Sequence, residues 1–292
     1  MFINMILAGG GLKIIKSLGG LLYMEKHGYL NCIQKYYGTS SGALCAMLLA
    51  LGYNVNQIID AFSQLVHDKL FDINLDIDIL FERYAIYNTE KFDRLLKSLI
   101  GCKLCPSNPS LYKDITALEM YNITKKTLTV STTNLSTGKV VYMNHLNYPD
   151  ITVYNMVKMS CAIPIFFEPI EYKGELYADG ALLDNFPLNA VPKNELHLTT
   201  GLFIDTVTEY CEMPFGNLTN YLTRITNITL TNLSGTSADN IFNITIDDSL
   251  NKNIIDAKLT DEKKRDMIRE GYNEIKQLVK LKAPKRRNSF TI

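Results

Sequence analysis

Two strand–loop–helix units at the start of the chain constrain its fold more than any other feature of the sequence. The apolar residues 2–7 lead into three glycines at 9–11, after which leucine and isoleucine recur at helical spacing. Residues 32–37 lead in the same way into Gly-Thr-Ser-Ser-Gly and the apolar segment 43–51. Strands that alternate with helices form parallel sheets with right-handed crossovers. We therefore predict a three-layer α/β/α fold around a mainly parallel central sheet.

The later residues continue this pattern. It predicts helices over residues 55–66, 89–100 and 261–281, paired strands over 127–132 and 139–143, and a last buried strand over 198–204. Thr116 and Glu119 have the spacing of a helix capping box. No repeat or linker divides the chain, so we predict a single domain over residues 1–292, with 206–292 as its C-terminal helical extension. The irregular residues 71–87 are interpreted either as a lid or as a plain insertion.

The composition indicates which partners the protein can attract and in which cellular compartment it is expected. Thirty basic and 30 acidic residues cancel, so no net field attracts nucleic acid and we expect no nucleic-acid partner. Six dispersed cysteines favour reduced thiols and a cytoplasmic location. The first apolar run is short and lacks basic residues, and no apolar stretch is long enough to span a bilayer. Neither a signal peptide nor a transmembrane helix is predicted.

Gly38 and Gly42 flank Ser40 in a G-x-S-x-G pattern between a predicted strand and a predicted helix. Glycines at these positions let the chain turn steeply and expose the serine hydroxyl at the helix start, as in a nucleophile elbow. The unpaired N–H groups of a helix N-terminus favour negative charge at an attacked carbonyl oxygen. An ordinary glycine turn is the alternative, and the strand and helix on either side favour the elbow.

Gly9, Gly10 and Gly11 form a second candidate motif, because backbone without side chains can bring its amides close to a ligand. Such a loop suits an oxyanion hole. A nucleotide-binding loop is the rival interpretation. Ile14 argues against it, because it stands where G-x-G-x-x-G requires its last glycine.

The serine needs a base, which can be a carboxylate or a histidine. Asp179 precedes Gly180 and Ala181, and a glycine after aspartate permits a tight turn that presents the carboxylate. Asp184 is the second candidate, at a position where capping of the next turn is expected. Of the four histidines only His197 follows a candidate aspartate in the order Ser, Asp, His. In the usual α/β-hydrolase, which has a histidine base, the elbow comes after several strands, whereas here it follows only one. A serine–aspartate pair without histidine therefore explains the chain better.

Several segments resemble the patatin-like phospholipase family in their order and approximate spacing. They are GGGLK at residues 9–13, GTSSG at 38–42, SCAIP at 160–164, FFEP at 166–169 and YADGALLDNFP at 177–187. The resemblance covers roughly residues 3–205. One departure is Ile165, which stands where many members have glycine.

The resemblance implies that Ser40 and Asp179 form a catalytic dyad and that the glycine loop at 9–11 binds the oxyanion. It implies phospholipids or related acyl esters as substrates, so we expect a lipid acyl hydrolase of the phospholipase A type. No metal or organic cofactor is expected, because the dyad requires none. A general lipase, a thioesterase, an acyltransferase with the same dyad and a non-catalytic lipid-binding module are the alternatives.

A lipid substrate implies that the protein meets a membrane surface peripherally. Basic side chains cluster at the end of the predicted C-terminal amphipathic helix and just past it, namely Lys280, Lys282, Lys285, Arg286 and Arg287. Two interpretations of this cluster are open, a docking site for anionic lipid and a solvated tail.

Overall fold

The computed structural model describes residues 1–67, 82–207, 224, 241–247 and 259–282. The strands are β1 (Asn4–Leu7), β2 (Lys35–Thr39), β3 (Thr127–Asn134), β4 (Lys139–Met143), β5 (Ile170–Tyr172), β6 (Glu175–Asp179), β7 (Thr199–Val207) and β8 (Ile241–Asp247). The helices are α1 (Ile14–Lys26), α2 (Ser41–Leu51), α3 (Val55–His67), α4 (Glu90–Leu104), α5 (Ala117–Thr124), α6 (Val153–Ser160) and α7 (Asp261–Lys282).

These strands form one sheet with the order β5-β6-β3-β2-β1-β7-β8, and β4 pairs with β3 beside this path. The strands from β3 through β2, β1 and β7 to β8 are parallel. The pairs β3–β4, β3–β6 and β5–β6 are antiparallel. Helices flank the sheet, so the predicted α/β fold with a mainly parallel central sheet is confirmed.

The first two units fold as their apolar patterns predict. Met5, Ile6 and Leu7 of β1 are fully buried, as is typical of a parallel strand covered on both faces. Every residue of the apolar segment 43–51 in α2 is buried as well. The helix ends at Gly52, whose left-handed φ of 92° is the usual C-terminal stop.

Helices α1 and α7 pack with their backbones in contact. A Cβ added at Gly19 would lie 2.0 Å from the carbonyl oxygen of Ile268, and one added at Gly271 would lie 1.9 Å from that of Lys16. Lys16 Nζ also forms an ion pair with Glu274 at 3.0 Å. The helix predicted over residues 261–281 is confirmed, and its contact with α1 attaches it to the first crossover of the sheet.

One prediction about the sheet is wrong, because the strand at residues 198–204 is not the last. β8 pairs with β7 in parallel, from Gly201 opposite Ile241 to Val207 opposite Asp247. Residues 206–292 therefore contribute a strand as well as a helix. β8 reads IFNITID, a short run in a region rich in asparagine, threonine and isoleucine, where periodicity does not separate a strand from its neighbours.

Of the remaining predictions, one lies on described residues and two lie mostly outside them. The capping box is confirmed, since Thr116 and Glu119 each accept a hydrogen bond from the other's backbone N–H. Residues 68–81, which hold most of the irregular segment, lie outside the described residues, and so do Lys285, Arg286 and Arg287. No helix within the described ranges combines the length with the apolar character that a membrane span needs.

Candidate active site

Ser40 and Asp179 meet because β2 and β6 lie end to end along one edge of β3. β2 pairs with β3 as far as Thr39 opposite Ser131, and β6 pairs with β3 from Thr132 opposite Asp179. β4 occupies the other edge of β3. β2 runs parallel to β3 and β6 runs antiparallel, so the C-terminal ends of β2 and β6 face each other. Residues 139 positions apart in the chain thereby become neighbours.

Ser40 occupies a sharp turn between β2 and α2. Its φ of 54° and ψ of −128° are values that a residue with a Cβ rarely adopts. A Cβ added at Gly38 would lie 2.5 Å from the carbonyl oxygen of Gly42, and one added at Gly42 would lie 2.3 Å from that of Leu7. Close backbone packing therefore requires both glycines of the G-x-S-x-G pattern.

Ser40 Oγ donates a hydrogen bond of 2.7 Å to Oδ2 of Asp179. Asp179 is fully buried, and burial raises the pKa of its carboxyl group to about 7, although hydrogen bonds from the Ala181 N–H and from Ser40 oppose the rise. A carboxylate with a pKa near neutrality can take up a proton and release it again near pH 7. The pair has the chemistry of a nucleophile and its general base.

Three further contacts fix the orientation of Asp179. The Ala181 N–H donates to Oδ1 at 2.8 Å. The Asp179 N–H donates to the carbonyl oxygen of Ala162 at 2.9 Å, and Thr133 Oγ1 donates to the Asp179 carbonyl oxygen at 2.9 Å. Because Oδ1 and the backbone are held in this way, Oδ2 remains directed at the serine.

Ser160, at the end of α6, makes a contact that sequence reasoning missed. Its Oγ accepts a hydrogen bond from the Ser40 N–H at 2.8 Å and donates one to the carbonyl oxygen of Ser131 at 2.7 Å. A Cβ added at Gly180 would lie 2.2 Å from the same carbonyl oxygen, which explains the glycine after Asp179. The one available signal was the place of Ser160 in the SCAIP segment.

The three glycines at 9–11 present amides that are not equivalent. The Gly9 N–H donates to the carbonyl oxygen of Asn185 at 3.3 Å, and Asn185 Nδ2 donates back to the Gly9 carbonyl oxygen at 3.2 Å. The Gly10 N–H donates to Ser41 Oγ at 3.2 Å. Among the described residues the Gly11 N–H has no acceptor, and Gly11 lines a cleft. The Gly9 amide is thus bound within the fold, the Gly10 amide is bound to a side-chain hydroxyl, and the Gly11 amide is the one of the three that lies at the cleft without an acceptor among the described residues.

This cleft is open to solvent and extends to Ser40. Its walls are mainly apolar and include Leu12, Leu44, Phe62, Phe92, Ile163 and Phe167. Lys158 and Glu168 are its charged lining residues, and Lys158 forms an ion pair with Asp93 at 2.7 Å. A cavity of this lining suits an apolar chain whose polar end lies near the serine.

Cys161 also lines the cleft beside the pair. Burial, together with the charge of Asp179, raises the pKa of its thiol well above the usual range. Because the thiolate is the reactive form of cysteine, this thiol stays protonated and unreactive near neutral pH. The hydroxyl of Ser40, hydrogen-bonded to a carboxylate, is therefore better suited to nucleophilic attack than this thiol.

The serine hydroxyl is bound to Asp179 and to neither of the other two candidates for the base. His197 is exposed in the 3-10 turn before β7, whose first residue pairs with Asn4 at the start of β1. It therefore lies at the N-terminal edge of the parallel strands, whereas the serine follows the C-terminal end of β2. Asp184 accepts hydrogen bonds from the Tyr142 hydroxyl and the Phe186 N–H, so its carboxylate holds the loop after β6.

The chain is similar to two viral proteins. "Probable lipid hydrolase 463L" of Invertebrate iridescent virus 6 is 30% identical over 194 residues, which are 65% of this chain and 63% of that protein. "Uncharacterized protein R571" of Acanthamoeba polyphaga mimivirus is 25% identical over 228 residues, 75% of this chain and 73% of that protein. The chain thus spans less than two thirds of the length of the first relative.

The fold is also similar to a solved structure. The crystal structure of VipD from Legionella pneumophila matches with a TM-score of 0.65 and 17% sequence identity, over 96% of this chain and 67% of VipD. At this identity the likeness concerns the fold alone. The family model for patatin-like phospholipases matches residues 5–192, more than half of the chain and every segment that builds the Ser40–Asp179 pair. The chain belongs to the patatin-like phospholipase family.

Proposed function

We propose that this chain is a lipid acyl hydrolase of the phospholipase A type that cleaves fatty-acyl esters through Ser40 and Asp179. One observation carries the proposal: the Ser40 hydroxyl donates a 2.7 Å hydrogen bond to a buried carboxylate whose pKa is about 7, at the end of an apolar cleft. The family membership and the name of the iridovirus relative support a lipid ester as the substrate.

The first half of the reaction forms an acyl-enzyme. Ser40 Oγ attacks the acyl carbonyl carbon while its proton passes to Oδ2 of Asp179. The tetrahedral intermediate then collapses, the ester C–O bond breaks, and Asp179 returns the proton to the leaving alkoxide. In the second half a water molecule attacks the acyl carbonyl carbon and loses its proton to Asp179. The bond from this carbon to Ser40 Oγ then breaks, Asp179 returns the proton to Oγ, and the fatty acid leaves.

The oxyanion of each intermediate needs donors on the side of the glycine loop. We assign this role to the amides of Gly10 and Gly11, as the family resemblance implies. The Ser40 N–H is bound to Ser160, and the Gly10 N–H is bound to the Ser41 hydroxyl. The Ser41 hydroxyl that now accepts from Gly10 has to rotate away when the oxyanion forms. Gly9 has a steric role, since a Cβ there would lie 2.9 Å from the Cβ of Ser40. Losing one such donor typically costs roughly 3 to 4 kcal/mol of transition-state stabilisation.

The decisive experiment measures fatty-acid release from mixed phospholipid vesicles by the wild type and the variants Ser40→Ala, Asp179→Asn and His197→Ala. We expect the first two variants to lose release and His197→Ala to match the wild type. Loss in His197→Ala would instead show that the base is misassigned. Circular dichroism spectra of all four proteins control for folding.

A fluorophosphonate probe separates an enzyme from a non-catalytic lipid-binding module. An activated serine forms a covalent adduct, so we expect a mass increase on Ser40 in the wild type and none in Ser40→Ala. A wild type that binds vesicles but is not labelled would favour the binding module. A labelled protein that releases fatty acid only from thioesters or neutral glycerides would favour the thioesterase or general lipase.

A further inference from the structure

The short segment from Ser160 to Ala162 holds the backbones of both members of the pair. The side chain of Ser160 accepts the Ser40 N–H at 2.8 Å, and the carbonyl oxygen of Ala162 accepts the Asp179 N–H at 2.9 Å. Ser160 is completely buried, so no solvent competes for these groups. One continuous piece of chain therefore sets the position of the serine relative to the carboxylate.

Ser160 lies where the pairing along the edge of β3 changes strand. β2 ends opposite Ser131, and β6 begins opposite the next residue, Thr132. The Ser160 hydroxyl donates to the carbonyl oxygen of Ser131 at 2.7 Å, at this junction. It thus bridges the end of β2 to the central strand, in the gap that separates the ends of β2 and β6.

The Ser40 N–H determines where the nucleophile points. With φ at 54° and ψ at −128°, the Ser40 backbone is strained, and surrounding contacts must hold such a conformation. Fixing the Thr39–Ser40 peptide plane fixes the position of the Ser40 Cα, and together with the observed φ of 54° it sets the direction of the Cα–Cβ bond. Without an acceptor this buried N–H would be unsatisfied, and rotation of the peptide plane would move Oγ away from Asp179.

We propose that Ser160 is a positioning residue for the acyl hydrolase reaction, an inference that rests on the proposed function. Its hydroxyl holds the Ser40 peptide plane so that Oγ faces Oδ2 of Asp179, and it withdraws the Ser40 N–H from the set of oxyanion donors. Ser160 itself touches neither the substrate nor the transferred proton.

The test compares Ser160→Ala with a matched loss of a buried hydroxyl elsewhere. Thr199, at the N-terminal end of β7 and away from the serine, provides the control. Its Oγ1 also accepts one hydrogen bond, from Asn4 Nδ2 at 3.1 Å, and donates one, to the carbonyl oxygen of Glu195 at 2.8 Å. Thr199→Val removes that hydroxyl with little change of shape. Ser160→Cys, which keeps a weak acceptor, serves as the milder variant if Ser160→Ala does not fold.

Two rates are measured on each variant, fatty-acid release and covalent labelling of Ser40 by a fluorophosphonate. For Ser160→Ala we expect kcat and the labelling rate to fall by about 10- to 100-fold with KM within about twofold, because misplacement of a reacting group lowers the rate without changing binding. Ser160→Cys should fall between Ser160→Ala and the wild type. Thr199→Val should keep both wild-type rates even where its melting temperature is lower.

The two proposals fail in different ways. If Ser160→Ala, or Ser160→Cys where the former does not fold, keeps both rates while Ser40→Ala is inactive and unlabelled, the positioning role is overturned and the hydrolase proposal stands. If the wild type neither releases fatty acid nor is labelled at Ser40, the hydrolase proposal is overturned and the positioning role with it. Equal losses of kcat in Ser160→Ala and Thr199→Val would reduce Ser160 to a purely structural residue.

Discussion

Asn185 and Gly9 exchange two hydrogen bonds, one from the Asn185 side chain to the Gly9 carbonyl oxygen at 3.2 Å and one from the Gly9 N–H to the Asn185 carbonyl oxygen at 3.3 Å. They tie the loop after Asp179 to the loop that carries the proposed oxyanion donors. Asn185 therefore helps to set the position of the proposed donor amides relative to the carboxylate.

Replacing this asparagine should slow the chemical step. Asn185→Ala removes the side-chain bond to Gly9, so we expect kcat for fatty-acid release to fall by about 10-fold with little change in KM, because the oxyanion donors lose a support. Asn147→Ala is the control, since Asn147 Nδ2 makes a similar bond to the Tyr142 carbonyl oxygen on an exposed loop. Equal kcat in both variants would mean that the contact does not position the donors.

The activity should rise with pH through the pKa of the base. Asp179 must be ionised to accept the serine proton, and its pKa is about 7. We expect kcat/KM to increase about tenfold per pH unit below neutrality and to level off above it. Measurement between about pH 5 and about pH 9 on a neutral ester substrate gives this profile. A flat profile down to pH 5 would contradict an elevated pKa for Asp179.

The same carboxyl group should make stability depend on pH. Its pKa rises from 3.8 to about 7 on folding, so the folded state binds the proton more tightly and protonation favours folding. Its contribution is present below pH 4 and is lost as pH rises through 7, which lowers the free energy of unfolding by on the order of 4 kcal/mol at most. Urea unfolding measured below about pH 4 and above about pH 7 should show this fall in the wild type and a smaller one in Asp179→Asn.

At position 165 we expect glycine to give a more stable protein than alanine, which is the reverse of the usual order. Its φ of 73° is left-handed, where a Cβ costs about 1–2 kcal/mol. Ile165→Ala and Ile165→Gly remove the same packing, so their difference isolates the backbone strain. We expect Ile165→Gly to have the higher free energy of unfolding in urea. The same two substitutions at Ile170, a half-buried isoleucine without a positive φ, should give the opposite order.

The packing of α7 on α1 predicts an unusual response to a helix-favouring substitution. Alanine normally stabilises a helix relative to glycine, but a Cβ at Gly271 would lie 1.9 Å from the carbonyl oxygen of Lys16. We expect Gly271→Ala to lower the free energy of unfolding by about 1–3 kcal/mol. Asn273→Ala, on the exposed face of the same helix, should leave it unchanged or slightly higher. A Gly271→Ala protein as stable as the wild type would mean that the two helices are not in backbone contact.

Much of this molecule could be predicted from local patterns. The apolar runs before residues 9–11 and 38–42 indicated the two opening strands, and the uniformly apolar segment 43–51 indicated a buried helix. These predictions depend on burial, which has a strong periodic signature along the chain. β8 was missed because its signature is short and resembles its surroundings. Its place in the sheet follows from pairing with β7, a contact between residues about 40 positions apart.

Local patterns in the sequence identified the residue types that are available for the chemistry: a serine between two glycines, an aspartate before a glycine, and a glycine-rich loop. The arrangement of these groups in space depends on the folding of the whole chain. Ser40 lies against Asp179, whereas His197 lies at the N-terminal ends of the parallel strands. The Gly9 amide is bound to Asn185, and Ser160 is bound to the Ser40 N–H. The physical reason is that hydrogen bonds and burial depend on distances in space, and β2 and β6 become collinear only when both pair with β3.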